Sequence, residues 1–272
     1  MNRVSAPQSE AAKVSGNGGR SLLLAFVRWN TNWTEALDQW LPLQLRLDGH
    51  QEFKKKLLPP LLLPGSKVYD LGGGSQPSVS LKTKSDLALT VVGLDISEDE
   101  LKAAPVGIYD QTVVADLCTY RGAGDGDLVV CQATLEHVRD TAGAMRAIAS
   151  CLKPGGRAAI FAPCRNAAFA RLNLLLPQEL KRRLLYALFP HKAEGHDGFP
   201  ALYDNCTPRD IEQLSLRNGL AVEQAFTYWR TSYFMILVPA YLLWRIWQRL
   251  AFYAVGRQAA ESFCFVLRKR DR

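Results

Sequence analysis

Val68-Tyr69-Asp70-Leu71-Gly72-Gly73-Gly74 reads as a short apolar strand that ends on a carboxylate and turns at once into three glycines. Glycine has no Cβ, so the backbone can turn sharply there and lie close against a ligand. Strand, acid and bare backbone in that order is how doubly wound sheets receive nucleotides. A second strand, Val91-Val92-Gly93-Leu94-Asp95, comes one strand–helix unit later and also ends on an acid. It lies about 20 residues past the glycines, where a carboxylate can accept hydrogen bonds from both hydroxyls of a ribose.

Outward from this pair the same alternation continues. Strands are predicted at Lys67–Leu71, Thr90–Asp95, Gln111–Asp116, Asp127–Gln132 and Arg157–Ala162, with helices at Ser97–Ala104 and Thr141–Leu152. Such alternation implies a parallel sheet covered on both faces. Ser97-Glu98-Asp99-Glu100 has capping-box spacing, and Thr207-Pro208-Arg209-Asp210 opens a helix that should run to about Asn218, where Gly219 can cap it. Two more strands are predicted at Ala221–Tyr228 and Glu261–Leu267. Upstream, residues 21–58 carry helical stretches, with Leu37, Trp40, Leu41 and Leu45 at helical spacing; Pro59-Pro60 and Pro64-Gly65 close the region. Residues 1–20 are rich in Ser, Gly, Ala and Asn and read as a disordered tail. The expected organisation is a tail (1–20), a helical cap (21–65) and a main domain (66–272) carrying two insertions, 165–206 and 231–257.

The chain has 272 residues, 48% of them apolar, and a formal net charge of +7. That charge suits anionic neighbours, nucleic acid or an acidic membrane surface, and also fits a merely solvated basic surface. Six scattered cysteines form no C-x-x-C pair and no metal-ligand spacing, so no metal is expected and the chain reads as reduced and cytoplasmic. Leu22–Val27 is too short, and too poorly flanked, for a secretory signal. No run reaches the ~20 apolar residues that span a bilayer.

Three further motifs complete an ordered set: Ala115-Asp116-Leu117 at the end of the third strand, Leu135-Glu136-His137-Val138 after the fourth, and Leu152-Lys153-Pro154-Gly155-Gly156 before the fifth. Together with Asp70-Leu71-Gly72-Gly73-Gly74 and Gly93-Leu94-Asp95, they resemble the class I, Rossmann-like, S-adenosylmethionine-dependent methyltransferase family. Each motif alone is weak, but five in order are specific. The match covers residues 66–164 closely and 207–230 more loosely. The resemblance implies an α/β fold: a doubly wound, mostly parallel seven-stranded sheet with helices on both faces, the sixth strand parallel and the seventh antiparallel. Both insertions would then emerge at the ligand edge.

It also implies roles. Asp70 and Gly72, Gly73 and Gly74 would lie along the methionine part of S-adenosylmethionine. Asp95 would hold the ribose, with Ile96 against the adenine. Asp116 would accept from the adenine amino group while Leu117 packs on the ring, and Gln132 and Ala133 would line the methyl-transfer side. The family often has another glycine two residues after Gly74; here Gln76 stands there, followed by Pro77. That Pro77 also breaks the G-x-G-x-x-G spacing of a dinucleotide enzyme. A hydroxyl acceptor would benefit from a general base, for which His137, His191 and His196 are the candidates, against structural or solvated roles.

The insertions point to the acceptor. Residues 165–206 contain the cationic run Leu180-Lys181-Arg182-Arg183-Leu184-Leu185. Residues 231–257 contain twelve uncharged residues, Tyr233 to Trp244, followed by Arg245, Trp247 and Arg249. Aromatic and arginine residues ending an apolar run suit a bilayer interface; the alternative is a core helix or a dimer surface. A basic, apolar rim fits O-methylation of a lipid-linked or membrane-delivered acceptor, a glycolipid or isoprenoid intermediate, by an enzyme on the inner face of the membrane. A soluble small-molecule acceptor is the alternative. A nucleic-acid acceptor is disfavoured because Cys131-Gln132-Ala133-Thr134 replaces the Asn/Asp-Pro-Pro-aromatic motif of amino-group enzymes. A non-catalytic scaffold is disfavoured by the intact Asp70, Asp95 and Asp116.

Overall fold

The structure, a computed structural model, describes residues 11–176 and 200–271, with side chains from residue 22 onward. A seven-stranded sheet runs β1 (Lys67–Leu71), β2 (Thr90–Asp95), β3 (Gln111–Val114), β4 (Gly126–Gln132), β5 (Leu152–Pro163), β6 (Leu220–Tyr228) and β7 (Ser262–Lys269). Its spatial order is β3-β2-β1-β4-β5-β7-β6. β1 to β5 are parallel to one another, and β7 is antiparallel to both β5 and β6, which makes β6 parallel to the first five. This is the sheet that the resemblance implies.

Period-two alternation divides the core between the two faces. Tyr69, Leu71, Val92, Leu94, Val129, Cys131, Ile160, Phe263 and Phe265 point to one face, where Met145, Ile148 and Ile211 cover them. Val68, Val91, Leu128, Val130, Phe161 and Val266 point to the other, against Phe53, Leu57 and Leu58. The first face is covered by α5 (Thr141–Cys151) and α7 (Pro208–Arg217). The second is covered by the short α2 (Gly49–Glu52) and the π-type turn Phe53–Leu57 that continues it. Between β1 and β3 lie α3 (Leu81–Asp86) and α4 (Glu98–Lys102), the latter capped by Ser97, whose hydroxyl accepts from the Glu100 N–H at 3.3 Å. α7 starts as expected: Thr207 Oγ1 accepts from the Asp210 N–H, Pro208 takes the first turn, and Gly219 follows at φ 73°.

Three expectations need correction at their edges. β3 stops at Val114, because Asp116 uses its side chain and carbonyl in a turn, accepting from the N–H groups of Cys118 and Thr119. β5 begins at Leu152, so Lys153-Pro154-Gly155-Gly156 is looped out of a strand rather than preceding it: Leu152 pairs with Gly126, and pairing resumes at Arg157 opposite Leu128. The spacing of Leu37, Trp40, Leu41 and Leu45 is not one helical stripe, for α1 (Ala11–Asp38) ends before Trp40, which is 89% exposed, and Leu45 belongs to a separate short turn. α1 also starts at Ala11, ahead of the expected boundary at 21, while residues 1–10 lie outside the described residues.

The insertions leave the sheet where expected. The first continues from β5 into α6 (Ala168–Leu175); the second, between β6 and β7, is largely α8 (Val238–Val255). Pro163, Tyr228 and Ser262 meet in register, so both depart from the carboxyl edge of the parallel strands. A ring stack of Phe169 on Tyr233, centroids 3.6 Å apart, ties the two insertions together there. The cationic run from Leu180 lies outside the described residues. Among the described residues, no helix is long and apolar enough to cross a membrane.

Candidate functional site

The glycine elbow sits over Asp70, which is fully buried at the end of β1. Both carboxylate oxygens are taken by one residue: Ser78 donates its N–H to Oδ2 at 2.7 Å and its hydroxyl to Oδ1 at 2.8 Å. Asp70 therefore lies beneath the loop and pins it. Desolvation raises its pKa to about 6, against the pull of those two hydrogen bonds. Gly72 adopts φ 74°, and a Cβ there would come within 2.9 Å of three Thr134 side-chain atoms. A Cβ on Gly73 would strike the Asp70 carboxyl and the Tyr109 hydroxyl at 2.7 Å. Gly72 and Gly73 are thus demanded by how closely the elbow packs on its own supports, and Gly74 by its left-handed φ of 44°. Tyr109 donates to the Gly74 carbonyl at 3.1 Å while its ring fills the space over Gly93.

Across the elbow stands Asp95, at the end of β2. Its Oδ1 accepts from the Ser97 N–H at 2.9 Å, and its Oδ2 lies 3.1 Å from where a Gly74 Cβ would be. Burial raises the Asp95 pKa. Ile96, next in the chain, holds 57% of its surface open to solvent, as an apolar wall beside a cofactor would. Asp116 is exposed in its turn, whereas Leu117 is buried in the core below.

At the end of β4, Gln132 and Ala133 face the same edge. Ala133 takes the left-handed φ 53° and is held there by its N–H donating to the Phe161 carbonyl at 2.9 Å. Gln132 Nε2 lies 2.8 Å from His50 Nε2, and Gln132 Oε1 is buried with no hydrogen-bond partner. Turned by 180°, the amide would give Oε1 the His50 Nε2–H and leave Nδ1 as the ring's acceptor. Desolvation first, then the Lys54 charge, lowers the His50 pKa, and its ring meets Phe161 edge-on with centroids 5.8 Å apart. The sequence reading passed over His50, which lies in the cap, far in sequence from the motifs it joins.

His137 sits beside this edge with Nδ1 3.3 Å from the Pro200 carbonyl and Nε2 3.8 Å from Glu136 Oε1. Glu136 itself is buried; its Oε2 has no partner among the described residues, and desolvation lifts its pKa to about 8. The only signal for it in the sequence was a carboxylate wedged between Leu135 and Val138. His191 and His196 lie outside the described residues. Among the described residues, no group of three or more His, Cys, Asp or Glu side chains could hold a metal ion.

The arrangement fits a nucleoside cofactor without phosphates: a bare-backbone elbow, a strand-end carboxylate facing it, an open apolar wall, and a Gln132 amide with one polar atom unpartnered among the described residues. The methyltransferase-domain family matches residues 44–225. The ubiquinone biosynthesis O-methyltransferase of Thiobacillus denitrificans is 35% identical over 35% of this chain and 43% of its own length. The enzyme of that name from Ralstonia nicotianae is 30% identical over 50% and 58%. The chain thus spans only about half the length of these curated relatives. Among solved structures, the fold is shared with an S-adenosylmethionine-dependent methyltransferase from Mesorhizobium loti at TM-score 0.52, with 18% identity, covering 83% of this chain and all of that one. It is also shared with the YcgJ protein of Bacillus at TM-score 0.51, with 14% identity, covering 82% and 100%.

Proposed function

Because the chain belongs to the methyltransferase-domain family and takes its methyl group from S-adenosylmethionine, we propose that it O-methylates a lipid-linked acceptor, an isoprenoid or glycolipid intermediate. The observation that carries this reading is convergence. Both apolar insertions leave the sheet at the edge where Gly72–Gly74, Asp95 and Gln132 meet, and Phe169 stacks on Tyr233 between them. The O-methyltransferase relatives named for ubiquinone biosynthesis support the acceptor class.

Bound S-adenosylmethionine supplies a methyl group on sulfur that is already a good leaving group, so the protein's task is alignment and exclusion of water. Asp95 holds the ribose hydroxyls and Ile96 the adenine face. The Gly72–Gly74 backbone borders the amino-acid end, with Asp70 and Ser78 fixing its course. Asp116, at the rim, accepts from the adenine amino group, and Leu117 backs the ring from below. On the acceptor side His50, kept neutral by burial, takes the hydroxyl proton while Gln132 orients its ring. His137 is the second candidate base, and its contact with the Pro200 carbonyl favours a structural role.

The test offers the enzyme two phenols that differ only in a prenyl chain. The prenylated phenol should react with a kcat/KM higher by about tenfold or more, as burial of several methylene groups implies. Equal values would replace the lipid-linked reading with a soluble small-molecule acceptor. His50→Ala should lower kcat by about 10²-fold or more and flatten the acid limb of the pH–rate profile; an unchanged profile removes His50 from the chemistry.

A further inference from the structure

α1 and α8 pack side by side; α1 turns a polar stripe inward, the reverse of a helix in water, and α8 buries Gln248 beside Tyr241 and Trp244. The stripe of α1 that faces inward is Asn30, Thr34 and Asp38, all buried. Each of these polar side chains is answered by α8 or its approach. Asn30 Oδ1 accepts from the Val238 N–H at 3.1 Å, and Thr34 Oγ1 donates to the Met235 carbonyl at 2.8 Å. Asp38 accepts from the Tyr241 hydroxyl at 2.7 Å and pairs with Arg245. Further along α8, Gln248 is buried too, donating to the Trp229 carbonyl and to Glu261.

The outward faces are apolar. Phe26, Trp29 and Trp33 on α1 are each more than half exposed, as are Leu243, Ile246 and Leu250 on α8, with Leu243 at 69%. Helices in water turn the apolar stripe inward. Polar groups satisfied between helices, with apolar side chains outside, is the pattern required by an apolar surround.

The charges along the pair select the surround. Both acids of the described part of α1 have basic neighbours: Asp38 pairs with Arg245, and Glu35 lies 3.8 Å from Arg230. α8 has no acid at all. Arg28 and Arg249 stay exposed, with no ion-pair partner among the described residues. Exposed tryptophans beside unpaired arginines suit the headgroup level of an anionic bilayer.

We infer that α1 and α8 form one docking plane that lies in the surface of an anionic lipid membrane, neither helix crossing it. The plane is joined to the carboxyl edge through the chain between β6 and β7, so the site would meet its acceptor at the lipid surface. The inference stands on this surface alone and does not need the proposed acceptor to be right.

The test is flotation of the full chain with vesicles, without S-adenosylmethionine or acceptor. Phosphatidylcholine vesicles containing phosphatidylglycerol should bind it about tenfold or more tightly than phosphatidylcholine alone. Trp29→Glu combined with Leu243→Glu should abolish most of that binding and leave the melting temperature unchanged, since both side chains face solvent. Should that variant not fold, Arg28→Glu with Arg249→Glu keeps the apolar face and should remove the preference for anionic vesicles. Quenching of tryptophan fluorescence by brominated lipid gives an independent reading on the unaltered chain. Absence of binding by the unaltered chain, or binding indifferent to both pairs of substitutions, would overturn the inference. So would a dimer in solution that Trp29→Glu dissociates, which would assign the face to a second copy.

Discussion

The sheet edge and the α1–α8 pair use the same residue types in opposite senses. At the edge, carboxylates and an amide stand at strand ends, with apolar side chains sealed into the two layers behind them. Asp70 is held by Ser78, and Asp95 keeps one oxygen turned to the elbow. In the helix pair Asn30, Thr34, Asp38 and Gln248 are sealed inside beside Tyr241 and Trp244, and a row of apolar side chains is left outside. Local patterning thus separates the two regions: apolar side chains back the polar edge of the sheet, and polar side chains back the apolar outer face of α1.

Three substitutions sharpen that contrast, beginning with the largest expected effect. Glu136 is a buried acid whose folded pKa, about 8, lies above its ordinary value of 4.5. Its contribution to stability is full below the unfolded pKa and is lost as pH rises through 8. At 1.36 kcal/mol per unit, a Glu136→Gln protein should be more stable than the parent by on the order of 5 kcal/mol at pH 9. The two should converge near pH 4. Urea unfolding across pH measures this, and a constant difference would show that Glu136 is not the titrating group.

In the helix pair, Asp38→Ala should cost about 3 kcal/mol, because it strands the Arg245 guanidinium and the Tyr241 hydroxyl between the helices. Hydrogen exchange should quicken in α1 and α8 before the sheet. Uniform exchange would mean that the pair and the sheet unfold as one body. At the edge, Asp95→Ala should weaken S-adenosylmethionine binding by about 2 kcal/mol, the worth of hydrogen bonds to a charged group, with unfolding little changed. Calorimetry reads the first and denaturation the second. Undiminished affinity would take the ribose away from Asp95.

Legibility in the sequence followed the same divide. β1 and β2 have the predicted bounds because each is a largely apolar run with an acid at or next to its end, flanked by glycine or a helix cap. β5 was read late by five residues because Lys153-Pro154-Gly155-Gly156 looks like a turn, which it is, although pairing brackets it on both sides. α1 escapes the rule of apolar spacing because its buried stripe is polar: Leu37 is partly exposed and Trp40 lies beyond the helix end, whereas Asn30, Thr34 and Asp38 are buried. His50 was invisible for another reason. Its partner Gln132 lies 82 positions away, and no local spacing encodes a contact made by folding the cap across the sheet.

The position of β7 has a consequence for how the molecule is made. β7 comes later in the chain than β6 yet sits between β6 and β5, and it is the neighbour β6 pairs with in the sheet. During synthesis β1 to β5 can assemble as they emerge, whereas β6 and α8 must wait, unpaired, for a strand still inside the ribosome. At about 5–20 residues per second, the 33 positions from the end of β6 to the start of β7 leave β6 unsheltered for seconds. That interval exposes one open strand and one greasy helix together. It is the stage at which a chaperone, or a nearby lipid surface, would have most to offer this chain.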